Sequence, residues 1–201
     1  MTQCDIPALV LAGGKSTRLG LDKVGLHFSG KTMLSRMIEL AGSLCREVCV
    51  SGRDPAELGV CAPWLPDDTA GVGPMGGILT GLRAFGRPLL VLACDLPMLD
   101  APTVARLLAA EAQRPPHAVM TTFRQEETGY IESLVSVYTP QAIPLLEQAM
   151  RDGIYKLSRA IPPELRHHVP YSRSEAAVFF NINFPADLAM LRQVENHRLP
   201  S

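Results

Sequence analysis

The stretch that decides the fold runs from Leu9 to Lys23, LVLAGGKSTRLGLDK. An apolar run, Ile6 to Ala12, stops on the glycine pair Gly13-Gly14, and basic residues follow at Lys15, Arg18 and Lys23. Within it, Gly14-Lys15-Ser16-Thr17 reads like the end of a phosphate-binding P-loop. That loop needs another glycine at the head of its GxxxxGK pattern, because its backbone amides wrap the phosphates in a wide turn. Leu9 holds that position, inside the apolar run, so the P-loop reading fails on spacing. What remains is a buried strand, a sharp glycine turn and a basic segment. Paired glycines let a ligand approach the backbone closely and can aim amides at an anion. A tight turn with solvated charges reads equally well from these residues alone.

The rest of the chain repeats the pattern of apolar run and helix. Thr32 to Cys45 carries apolar residues at helical spacing, at Met33, Leu34, Met37, Ile38, Leu40 and Ala41. Glu47 to Gly52 returns to strand. Trp64 to Gly77 is punctuated by proline and glycine and reads as loop, landing on a helix that starts at Pro74 and stops at Gly86. Leu89 to Ala93 is a second fully apolar strand. Asp100 caps a helix from Thr103 to Ala112, with Pro102 near its first turn. His117 to Phe123 and Tyr130 to Tyr138 read as strands, the second alternating and so half-exposed or antiparallel. Pro140 to Met150 is helical, with Pro144 in its first turn. Arg166 to Tyr171 and Ala177 to Asn183 read as short strands, and Pro185 to Val194 as a closing helix. Alternating strands and helices imply a mostly parallel sheet covered on both faces, with ligands beyond the carboxyl ends of its strands.

Composition narrows the function. The 201 residues suit one domain, and 47% apolar with 19% charged residues suits a globular core. A net charge of −1 offers no global field toward nucleic acid or an anionic membrane, so neither is an expected partner. The cysteines, Cys4, Cys45, Cys49, Cys61 and Cys94, are odd in number and form no C-x-x-C, which reads as structural thiols in a reducing compartment. The segment MTQCDIPALVLAGG has no basic head and a short apolar run, and no segment reaches the roughly 20 apolar residues of a membrane span. A cytoplasmic protein is expected.

Three strand ends carry chemistry. The first is the glycine turn, where Arg18 can fork onto phosphate oxygens and Lys23 offers a compact charge. The second is Cys94-Asp95-Leu96-Pro97: a carboxylate at the mouth of a buried strand can hold Mg²⁺ bridging phosphates, and Asp100 already supplies the helix cap. The third is the run from Asp67 to Gly77, whose aspartates suit a metal, a sugar hydroxyl or the amino edge of a base. Asp67 is read here as a surface turn. His117, His167 and His168 read as surface or strand-end residues.

Together these segments resemble the molybdenum cofactor guanylyltransferase (MobA-type) family of the nucleotidyltransferase superfamily. Its hallmark is matched from Leu11 to Lys23 as LAGGKSTRLGLDK; the Gly-Pro element is Gly73-Pro74-Met75-Gly76-Gly77-Ile78; the Cys-Asp-x-Pro element is Cys94 to Pro97. Phe180-Asn181-Ile182-Asn183-Phe184-Pro185 matches the family's late Asn-x-Asn element, with Phe184 replacing the usual Thr and its N-cap hydroxyl. The order and spacing run across nearly the whole chain.

The resemblance implies a Rossmann-like three-layer α/β fold, a mostly parallel sheet with an antiparallel strand. It implies one domain over 1–201, with 1–100 mainly binding nucleotide and 101–201 mainly binding the acceptor. Transfer of GMP from GTP to the terminal phosphate of molybdenum-molybdopterin, with Mg²⁺ and release of pyrophosphate, is the implied reaction. By position, Leu11, Ala12, Gly13, Gly14, Ser51, Asp68 and Gly73 contact the nucleotide. Lys23 meets its phosphates, Arg18 neutralises the leaving pyrophosphate, and Asp95 holds the metal. Asn181, Asn183 and Lys156 fall on the acceptor side with Gly129 to Leu134 and Gly153 to Lys156, where Arg159 and Arg173 are further basic candidates. Transient contacts with cofactor-insertion proteins and apo-molybdoenzymes are implied as well. Three alternatives stand beside this reading: a CTP-dependent cytidylyltransferase for the same cofactor, disfavoured by Gly13-Gly14 and Gly73-Pro74; another small-molecule nucleotidyltransferase; and a non-catalytic cofactor-handover protein.

Overall fold

The computed structural model describes residues 3–13, 25–69 and 71–182, with 186, 187, 189, 190 and 193 near the end. Arg18, Lys23, Gly14 and Asn183, all site candidates by sequence, lie outside the described residues, as does most of the expected closing helix.

Strands β1 (Ala8–Leu11), β4 (Val48–Ser51), β5 (Trp64–Leu65), β6 (Leu89–Ala93), β7 (Met120–Gln125), β8 (Ile131–Tyr138) and β9 (Arg166–Tyr171) form a seven-stranded sheet in the order β5-β4-β1-β6-β8-β7-β9. β2 (His27–Phe28) and β3 (Lys31–Thr32) make a separate small hairpin. β8 is antiparallel to both neighbours, and the other pairings in the large sheet are parallel. The alternating Tyr130–Tyr138 segment is thus the reversed strand, as its pattern allowed.

Two helical layers cover the sheet, and the strands show why. In β1, Ala8 and Val10 join one buried cluster while Leu9 and Leu11 join the other; β6 divides Leu90 and Leu92 from Leu89 and Val91 in the same way. A strand apolar on both sides has no stable position except between two layers. On the first face pack α1 (Met33–Leu44), through Leu34, Met37 and Ala41, and α3 (Ala101–Glu111), through Val104 and Leu107. On the second pack α2 (Pro74–Phe85), α4 (Ile143–Arg151) and the single turn α5 (Leu157–Ala160). The ends follow the sequence: Thr32 caps α1 by accepting the Ser35 N–H at 3.1 Å, Asp100 caps α3 by accepting that of Thr103 at 3.0 Å, and Gly86 closes α2 in the left-handed conformation. Pro144 sits in the first turn of α4.

Three expectations need correction. Trp64 and Leu65, read as loop, add the short edge strand β5 beside β4. The described part of the run expected as a strand from Ala177 to Asn183 is not a strand: Arg173–Phe179 wind into a 3₁₀ helix whose start is held by the Glu175 carboxylate accepting the Ser172 N–H at 2.8 Å. The apolar spacing there serves packing, since the Phe179 ring lies 4.9 Å from that of Phe123 and 4.6 Å from that of Tyr171. His167 and His168, read as surface or strand-end residues, are half-buried. They lie within β9, and His167 Nδ1 and His168 Nε2 are buried without a hydrogen-bond partner. The five cysteines are free thiols, with the Cys4 and Cys45 sulfurs 3.7 Å apart.

Candidate functional site

The carboxyl ends of β1 and β4 open into a cleft of about 470 Å³, bounded on the other side by the loop before α2 and by its first turn. Its lining includes Leu11, Gly13, Ser51, Gly52, Asp67, Gly73 and Gly77. Glycine dominates because the backbones meet. Gly52 has φ +92°, and a Cβ there would fall 2.7 Å from the Gly13 Cα and N. The second strand end can therefore approach the first only where Gly52 carries no side chain.

Gly77 answers the same demand from the helix. A methyl group on it would lie 2.2 Å from Ser51 Oγ and 3.0 Å from Leu11 Cδ2. The space left open holds a hydrogen bond from the buried Ser51 hydroxyl to Asp67 Oδ1. That bond fixes the Asp67 carboxylate on the cleft wall, above the first turn of α2, where the positive end of the helix dipole also lies. One turn on, Gly81 lets the helix settle against the sheet, since a Cβ there would fall 2.6 Å from Leu89 Cδ2.

Asp68, the aspartate singled out by sequence, turns the other way. Its carboxylate faces Arg83 Nη1 at 3.6 Å and its N–H is accepted by Thr80 Oγ1 at 3.1 Å. Asp67, read from sequence as a surface turn, thus lines the cleft, and Asp68, expected at the nucleotide, is absent from its lining. Two adjacent aspartates give no sequence signal for which one faces inward. Ser51 in this cleft could be read from its place at a strand end; Gly52 and Gly77 could have been read from needing no Cβ.

At the end of β6, Asp95 is half-buried and its backbone carbonyl accepts the Ile182 N–H at 3.1 Å. This bond carries the late segment to the mouth of the sheet and places the exposed Asn181 next to the β6 end, while Ile182 packs with Phe28 and Met33. Among the described residues no cluster of three or more His, Cys, Asp or Glu side chains gathers. A site with few protein carboxylates suits a magnesium ion that brings most of its ligands as water and substrate phosphate.

A second cleft, of about 620 Å³, lies on the α2/α4/α5 side of the sheet. Gly129 to Ile131, Ser133 and Leu134 form one wall; Tyr155 to Ser158 form the other, with Arg166 at the floor. The two segments expected on the acceptor side are therefore brought together, and Lys156 lines the space. Tyr130 and Tyr155 stand at its rim, 61% and 50% exposed. Arg159 and Arg173 are exposed and outside the lining. Arg166, missed by sequence, donates from Nε to the Ile161 carbonyl at 2.9 Å and from Nη2 to that of Ser158 at 2.7 Å, fastening α5 to β9. Burial draws its pKa below the usual arginine value. Both clefts are lined in part by Pro74, the first residue of α2, so each reaches the start of that helix.

Comparison with known proteins agrees with this layout. Residues 8–169 match the family described as MobA-like NTP transferase domain. The chain is 33% identical to a molybdenum cofactor guanylyltransferase from Rhodobacter capsulatus over 92% of its own length and 93% of that protein's. It is also 33% identical to a molybdenum cofactor biosynthesis bifunctional protein from Synechocystis sp., matching 77% of this chain and 45% of that longer protein. In three dimensions it superposes on molybdopterin-guanine dinucleotide biosynthesis protein A from Archaeoglobus fulgidus with a TM-score of 0.77 at 24% identity, covering 96% of this chain and all of that one, a likeness of fold.

Proposed function

This chain belongs to the family of MobA-like NTP transferase domains, and from that premise we propose that it transfers GMP from GTP to the terminal phosphate of molybdenum-molybdopterin, releasing pyrophosphate. It is a nucleotidyltransferase; the nucleotide, the acceptor and the metal are the proposed part. The observation that carries the proposal is that both clefts reach Pro74. A transfer needs two substrates whose reacting groups touch, and positioning alone supplies much of the rate.

In the first cleft, Leu11, Gly13 and Gly52 present backbone to the nucleoside. Asp67, held by Ser51, faces the base. A carboxylate accepts both the N1–H and the 2-amino group of guanine. Cytosine offers acceptor atoms, N3 and O2, on its corresponding edge, and these repel a carboxylate. Arg18 and Lys23 supply positive charge to the triphosphate. Asp95, with Asn181 nearby, would hold a magnesium ion, which adds charge neutralisation at the phosphates when bound. In the second cleft, Tyr130 and Tyr155 offer aromatic faces to a flat heterocycle and Lys156 offers a cation to an anionic acceptor.

The acceptor phosphate oxygen attacks the α-phosphorus of GTP, a P–O bond forms, and the bond to the β-phosphate oxygen breaks. The attacking group is already ionised, so the site needs no general base, and electrostatic stabilisation of the transferring group suffices. The test is to incubate the purified protein with molybdenum-molybdopterin, Mg²⁺ and either GTP or CTP, and to assay dinucleotide and pyrophosphate. The expected result is product with GTP; turnover with CTP alone overturns the assignment.

A further inference from the structure

We infer that Thr80 and Arg83 are positioning residues that decide which of the two adjacent aspartates, Asp67 or Asp68, faces the base. The inference rests on the reading of the first cleft as a guanine nucleotide site. Neighbouring side chains leave a chain on different sides, so a half-turn of the segment that carries the Asp67–Asp68 peptide would exchange the two carboxylates. Something has to hold that peptide, and α2 does so from within the fold.

Thr80 is buried and its hydroxyl is committed at both ends. It donates to the Gly76 carbonyl at 3.0 Å, one turn back, so its oxygen is left as acceptor for the Asp68 N–H at 3.1 Å. A helical threonine that bonds back to its own helix is common; one that also receives a loop amide fixes the plane of a peptide outside the helix. Arg83, three residues on, attracts the Asp68 carboxylate at 3.6 Å while donating from Nη2 to Glu147 Oε1 at 2.8 Å. Gly77 leaves room on the same helix for the Ser51–Asp67 bond. One helix thus grips the dipeptide from both sides.

The measurement is the ratio of kcat/KM for GTP to that for ITP, which lacks only the 2-amino group and so reads the Asp67 carboxylate. Loss of one charge-assisted hydrogen bond predicts a wild-type preference for GTP of about tenfold or more. Thr80→Val, of similar shape without the acceptor, is expected to bring the ratio down to about twofold through KM for GTP. Thr80→Ser is expected to restore it. Hydrogen exchange at the Asp68 amide gives a readout apart from activity and should speed up by about tenfold in Thr80→Val only.

Arg83→Gln is the variant of record where Thr80→Val does not fold, because Arg83 is partly exposed; it should at least halve the ratio. A ratio unchanged in the folded Thr80→Val and in Arg83→Gln, with Asp67→Asn losing it, overturns this inference and leaves the guanine reading standing. A ratio unchanged in Asp67→Asn overturns the guanine reading itself.

Discussion

The two clefts are built on opposite plans. The first is made of strand ends, glycines and one hydrogen-bonded pair, and its shape depends on side chains being absent: Gly52 against the Gly13 backbone, and Gly77 against Ser51. The second is made of long side chains, Tyr130, Tyr155, Lys156 and Arg166, brought from three separate segments by α5 and the β8–β7–β9 half of the sheet. A wall of backbone tolerates almost no added volume. A wall of exposed side chains tolerates loss of any one of them. The plans therefore predict different sensitivities, and each can be tested against the other.

The largest effect is expected at Gly77→Ala. Its methyl group would fall 2.2 Å from Ser51 Oγ and 3.2 Å from Asp67 Oδ1, and Ser51 is buried and cannot swing away. Displacing the base-facing pair by even an ångström is expected to lower kcat/KM for GTP by about 100-fold. Gly81→Ala is the control that sharpens the point. There the methyl meets Leu89 Cδ2 at 2.6 Å and Leu9 Cδ2 at 3.0 Å, inside the core and away from the cleft. Overpacking of about 1–3 kcal/mol would lower its Tm by about 3–10 °C, with kcat/KM of the folded protein kept within about threefold. Equal losses of GTP turnover in both variants would show that the helix matters as a whole and that the first cleft has no special dependence on Gly77.

A smaller effect is expected on the second plan. Tyr130→Ala and Tyr155→Ala each remove one exposed ring, and each should raise KM for the molybdopterin acceptor by about three- to tenfold. Steady-state kinetics with both substrates varied should leave KM for GTP where it was, and thermal melting should leave Tm within about 2 °C. A matching rise in KM for GTP would merge the two clefts into one site and break the division drawn above.

That division also explains what could be read from the sequence. Runs such as Leu89–Ala93 and Ala8–Leu11 carry their reason locally: each is a strand buried on both faces. The first cleft inherits that local logic: Leu11, Gly13, Ser51 and Gly73, expected from sequence at the nucleotide, all line it. The two aspartates could not be told apart because the groups that engage Asp68, the Thr80 hydroxyl and Arg83, stand on a helix that follows the loop, and no spacing rule encodes that grip. Arg166 was missed because its partners are the carbonyls of Ser158 and Ile161, groups that every residue carries. Phe179 was assigned to a strand because a buried aromatic run reads alike in a strand and in a 3₁₀ turn folded over Phe123 and Tyr171.

The smallest expected effect separates the two halves by pH. His168 lies on β9, next to Thr122 of β7 in register, and shares that region with Arg124 and Arg166. Burial first, then these two guanidinium groups and His167, hold its pKa below the usual 6.5. The unfolded chain therefore takes up a proton near pH 6.5 that the folded chain refuses until a lower pH, so the native state loses stability as pH falls through that window. The loss is modest, about 2 °C in Tm between pH 7.5 and 5.5, because the ring is only partly buried and solvent screens it. His168→Gln removes the titration, and the variant should melt with a flatter pH dependence than the wild type over the same range. Parallel slopes would mean that His168 is not the group responsible. The first cleft should be indifferent to this change: a weaker GTP affinity at pH 5.5 in wild type, restored in His168→Gln, would show that the backbone wall leans on the side-chain wall after all.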